Sequence, residues 1–127
     1  VPATEWYNKA KKDNCPPQER EHHIKDGFTA LRTCYEVLVI HELFNNVVQR
    51  YEERVSIDRL KDVHFNQPVI DELLDSYAQC CRYMEGHTHS DKYAYKKPAP
   101  VNLDEEIKRY DAIKTKIKES KKAKKGS

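Results

Sequence analysis

The chain has 127 residues, of which 35% are charged and 38% hydrophobic, enough apolar material for one domain with one packed layer of helices but not for a large enclosed ligand cavity. Only three glycines are present (Gly27, Gly86, Gly126), too few for an all-β protein of many tight turns. The formal charge of +2 conceals an asymmetry: residues 114–127 carry seven lysines and one glutamate, hence +6, and the rest of the chain carries −4, which leaves nucleic-acid binding by the folded body without compositional support.

In chain order, residues 4–13 form a short polar arm or helical piece with Trp6 and Tyr7 as apolar anchors, ended by Cys15, Pro16 and Pro17. Residues 18–54 read as helix, with a bend or break at Asp26 and Gly27, where glycine costs about 1 kcal/mol against alanine. Beyond it, Phe28, Leu31, Tyr35 and Leu38 make one apolar stripe and Val37, Ile40, Phe44, Val47 and Tyr51 a second, so this is the central helix. Ser56 is placed to cap a short helix containing Ile57, Leu60 and Val63.

Pro68 opens a firmer helix in which Ile70, Leu73, Tyr77, Cys80 and Met84 recur at helical spacing, stopped by Gly86. Residues 86–101 hold histidines, tyrosines and prolines and read as a long loop of the kind that carries contacts. Asn102 with Glu105 has capping-box character, and Leu103, Ile107, Tyr110, Ile113 and Ile117 line one side of a last helix. The domain is expected to span residues 1–119, with 120–127 a flexible lysine-rich tail.

No run of about 18 apolar residues exists, since even residues 35–48 are interrupted by Glu36, His41, Glu42 and Asn45, so no helix suited to crossing a bilayer is expected. The first residue is Val1, which fits a processed secretory end. In that setting Cys15, Cys34, Cys80 and Cys81 read as two disulfides with three possible connectivities. If the central helix and the Pro68 helix pack antiparallel, Cys34, Cys80 and Cys81 reach the same end of the bundle. Cys80 and Cys81 diverge by about 100° on a helix and so suit different partners. Either Cys15 pairs with Cys80 and Cys34 with Cys81, or the partners are exchanged; spacing does not separate the two.

Catalytic and metal chemistry find little footing. Cys34 and His41 are two turns apart, about 10 Å, too far for a nucleophile and its base. Cys80, Cys81, His87 and His89 are zinc-ligand types, but adjacent cysteines lack the intervening residues that turn two sulfurs towards one metal. His22 and His23 are expected on a solvent face and His41 at the core edge. No catalytic residue, metal or cofactor is expected. The lysine tail has the charge to hold a sulfated polysaccharide.

The segment Thr33-Cys34-Tyr35-Glu36-Val37-Leu38, followed by Phe44-Asn45-Asn46-Val47-Val48 and by Cys80-Cys81, resembles the middle of the interleukin-10 family of class II helical cytokines over about half the chain. The resemblance implies bridges from Cys34 to Cys81 and from Cys15 to Cys80, with residues 102–118 as the helix that follows.

The expectation is therefore an all-α, small disulfide-bonded bundle of up-down helices, secreted and extracellular, that acts as a cytokine-like ligand or recognition protein by binding a cell-surface protein receptor. Receptor contacts are expected from Tyr93 and Tyr95 in the long loop and Arg50 and Arg54 on the central helix, because tyrosine and arginine are enriched at interfaces. The alternatives are an intracellular helical adaptor with reduced cysteines and a basic tail, or a secreted gamete, venom or parasite binding protein whose likeness to cytokines reflects shared helix-packing rules.

Overall fold

The computed structural model describes residues 2–48, 55–63, 66–84 and 97–125. Among these the chain forms four α-helices, α1 (Pro2–Ala10), α2 (Pro17–Leu38), α3 (Gln67–Tyr83) and α4 (Pro100–Lys125), and no strand beyond an isolated antiparallel bridge between Val48 and Val55.

Gly27 does not break α2. It lies buried in the middle of that helix, where an added Cβ would overlap the Leu103 side chain of α4. The propensity penalty of glycine is accepted because it lets two helices approach closely. The expected central helix instead ends earlier than the apolar stripe implies. After Leu38 the backbone widens into a π-helical turn, Val39–Leu43, and then reverses at Asn45 and Asn46, both with positive φ (48° and 59°). Asparagine tolerates the left-handed region better than most side chains. Of the second stripe, Phe44 is exposed beyond the helix, while Val47 is buried although it lies outside any helix.

Ser56 precedes a 3-10 turn, Ile57–Asp62, but its side chain makes no capping hydrogen bond. Pro68 sits in the first turn of α3, where its missing N–H costs nothing. Asn102 acts one turn inside the helix start rather than at it: its Oδ1 accepts the Ala99 N–H at 2.8 Å, the backward half of a capping box. At its other end α4 continues to Lys125, through most of the stretch expected to be a flexible tail. Lysine and alanine favour helix, and Lys121 pairs with Glu42 at 3.5 Å.

Contacts fix the relative directions of the helices pair by pair. Trp6 stacks on His23 and the Arg20 side chain reaches the Ala10 carbonyl, so α1 runs against α2. Phe28 meets Tyr83 and Tyr35 meets Ser76, so α3 also runs against α2. Asn66 bonds Ser120, Glu72 bonds Lys116 and Ser76 bonds Glu106, so α4 runs against α3. The core between them holds Phe28, Leu31, Tyr35 and Leu38 from α2, Leu73 and Cys80 from α3, and Leu103, Ile107, Tyr110, Ile113 and Ile117 from α4. These are the apolar stripes expected for the α2 and α4 segments, with part of that for α3.

Candidate functional site

An open apolar hollow of about 460 Å³ lies between α2 and α3, lined by Tyr35, Glu36, Val39, Ile40, Leu73, Leu74 and Tyr77. Leu73 and Leu74 are neighbours on α3 and diverge by about 100°, so Leu73 is buried in the core while Leu74 remains 57% exposed at the rim. Val39 and Ile40 belong to the π-helical turn, whose wider winding shifts side chains out of the register that α2 sets. Glu36 is the one charged residue of the lining, and it is engaged by Arg32 at 3.8 Å.

From Tyr35, which lines this hollow, a polar chain runs through the core to the surface. The Tyr35 hydroxyl bonds Ser76 Oγ, Ser76 Oγ donates to Glu106 Oε2 at 3.1 Å, and Arg109 lies 4.0 Å from Glu106 and 2.6 Å from Asp75. Burial raises the Tyr35 hydroxyl above its ordinary value and raises the Glu106 carboxyl as well, with Ser76 and Arg109 partly opposing the shift at Glu106. Because Ser76 spends its one hydrogen on Glu106, the Tyr35 hydroxyl is the donor to Ser76. Of these residues Tyr35 also lines the hollow, so the chain anchors one of its walls to the core.

The four cysteines are free thiols, and the expected bridges are not made. Antiparallel packing of α2 and α3 brings Cys34 near the level of Cys80 and Cys81, but the side chains face different ways. Cys34 lines a hollow with Pro2, Ala30, Thr33, Val37 and Tyr110. Cys81 sits beside Arg32 and Glu36, residues displaced from position 34 by about 200° around α2. Cys80 is fully buried beside Glu106, and burial pushes its thiol far up. Cys15 precedes α2, while Phe28 packs on Tyr83; Cys80 therefore stands near the level of Leu31, about 24 Å along the helix from Cys15. A disulfide requires Cα atoms within about 7 Å.

The expected contact residues Arg50, Arg54, Tyr93 and Tyr95, and also His87 and His89, lie outside the described residues. His41 is exposed rather than at the core edge and its Nδ1 pairs with Asn46 Oδ1. His23 is half-buried, not on a solvent face, because α1 folds back and lays Trp6 on its ring at 5.8 Å. Two lysines of the basic stretch, Lys116 and Lys121, are engaged by Glu72 and Glu42.

Two groupings escaped the sequence. The α2/α3 hollow depends on where the helix ends and gives no linear signal. A second grouping, Cys15, Glu19 and His23, has its ligand-type atoms within 4.8 Å of one another; steps of four residues are its sequence signature, obscured by the prolines that separate Cys15 from the helix.

No protein-family model, curated protein or solved structure matches this chain.

Proposed function

We propose that the chain is a helical protein ligand that binds a partner protein through the hollow between α2 and α3. The observation that carries this reading is a nearly continuous apolar lining with two tyrosines and an exposed leucine, Tyr35, Val39, Ile40, Leu73, Leu74 and Tyr77. Aromatic and aliphatic anchors in a concave, poorly hydrated patch are what protein interfaces concentrate at their centres. Helices that alternate in direction along the chain, as in an up-down bundle, are supported by the pairwise contacts of α1 with α2, α2 with α3 and α3 with α4.

Within this reading the partner is a cell-surface receptor and the chain a secreted, cytokine-like ligand. Replacing Leu74 with glutamate tests it: labelled protein should bind responsive cells at least ~10-fold more weakly, with unchanged helical content, since a charge would have to be desolvated in the contact. Undiminished binding by Leu74→Glu rejects this face.

A second reading, an intracellular helical adaptor, is favoured by the four free thiols. It uses the same face and differs in compartment. Locating natively produced protein separates the two: retention inside the cell favours the adaptor, and recovery from the medium favours the secreted ligand.

A further inference from the structure

The turn between α1 and α2 brings three metal-ligand types together. Glu19 and His23 are four residues apart on α2 and share a face. Cys15 stands four residues before Glu19, outside the helix. Its sulfur, a Glu19 carboxylate oxygen and a His23 ring nitrogen nonetheless lie within 4.8 Å of one another.

The position of Cys15 is held from behind. Arg20 Nε donates to the Ala10 carbonyl at 2.9 Å, and its Nη2 donates to the Lys12 carbonyl at 3.0 Å and the Cys15 carbonyl at 3.3 Å. The Cys15 N–H closes the turn onto the Lys12 carbonyl at 3.1 Å. One guanidinium therefore fastens the backbone of this connection to the first turn of α2, with its cationic head turned to carbonyl oxygens. The His23 ring is oriented by Trp6, and its Nδ1 is buried with no hydrogen-bonding partner among the described residues. A ring nitrogen removed from water without a partner is unfavourable, and a neutral imidazole keeps a lone pair on one of its nitrogens for a ligand.

We propose that Cys15, Glu19 and His23 form a binding site for a divalent transition-metal ion, with zinc the best fit. Zinc accepts thiolate, imidazole and carboxylate together, at about 2.0–2.3 Å, which sets neighbouring donors about 3.3–3.8 Å apart in a tetrahedron. The three donor atoms already lie within 4.8 Å of one another, and Glu19, the exposed one of the three, is the freest to close the remaining gap. Three protein ligands leave the fourth position to water. The thiol loses its proton on binding, and the site requires Cys15 to be unbridged. Arg20 is a positioning residue that touches no ion.

The site is independent of the α2/α3 hollow and is tested without any partner protein. The full chain, kept reduced with a phosphine, is titrated with cobalt(II) as probe, followed by displacement with zinc(II). One ion per chain, with a thiolate-to-cobalt charge-transfer band and the visible spectrum of tetrahedral cobalt, is expected. Cys15→Ser should abolish the charge-transfer band, and His23→Gln should weaken binding more than ~10-fold. Cys34→Ser and His22→Gln should bind as the parent does. Circular dichroism of each variant confirms that its helices remain. Parental binding by folded Cys15→Ser and His23→Gln, loss of the band in Cys81→Ser instead, or no charge-transfer band at millimolar cobalt would each overturn the proposal.

Discussion

Tyr35 of α2 and Glu106 of α4 are joined through a single hydroxyl, that of Ser76 on α3, so three helices meet at one oxygen atom. Ser76 is fully buried and Glu106 is 8% exposed. An unmade bond here has no water to replace it.

Ser76→Ala is expected to cost about 1–3 kcal/mol, because it strands the Tyr35 hydroxyl and a Glu106 oxygen together. Adding Tyr35→Phe should cost less in the Ser76→Ala background than in the parent, since the hydroxyl it removes is already unpaired. Urea denaturation of the two single variants and the double variant measures both effects. Strict additivity would show that the chain of bonds is not cooperative.

The same group predicts a pH dependence. Burial raises the Glu106 carboxyl in the folded state above its unfolded value, so folding favours the protonated form. Its contribution to stability is complete below the unfolded carboxylate pKa and is lost as pH rises through the folded pKa. Glu106→Gln carries no such dependence. Its stability relative to the parent should therefore improve from pH 4 to pH 7, as measured by thermal or urea unfolding at each pH. An opposite trend would mean that Arg109 outweighs burial at this carboxylate.

Gly27→Ala sets helix propensity against packing. Alanine gains about 1 kcal/mol in an ordinary helix position, yet here its methyl meets Leu103. Overpacking of this kind costs about 1–3 kcal/mol, and a net loss of stability is expected. In a Leu103→Ala background the penalty should vanish and the helix gain emerge, so a comparison of unfolding midpoints across the four proteins isolates the close approach. Equal effects in both backgrounds would leave propensity as the sole determinant at this position.

The thiols should differ in reactivity. Cys15 is half-exposed, Cys34 is half-exposed with a thiol that burial raises, and Cys80 is fully buried with a thiol raised much further. Because the thiolate is the reactive form, native protein should be labelled first at Cys15 and last at Cys80, with Cys80 reacting only as the chain unfolds. Peptide mapping after timed alkylation reads this order. Early labelling of Cys80 would contradict the packing around Ser76 and Glu106.

Much of the helical organisation is legible along the chain. The steps of three and four from Phe28 to Leu38 and from Leu103 to Ile117 mark the buried faces of α2 and α4, and Pro68 marks the first turn of α3. Periodicity fails at Phe44 and Val47, where the stripe continues past Asn45 and Asn46 while the helix stops. Apolar spacing reports which residues want burial, not whether the backbone continues beneath them.

What the sequence by itself determined is the helical class and the stripes that seek the core, because both follow from side-chain chemistry repeated at 3.6 residues per turn. Only tertiary structure decided which way Cys34 and Cys81 face, that Gly27 admits Leu103, and that Ser76 and Glu106 find each other inside. Those outcomes depend on how one helix surface seats against another, and the angular setting of two helices belongs to neither sequence segment alone.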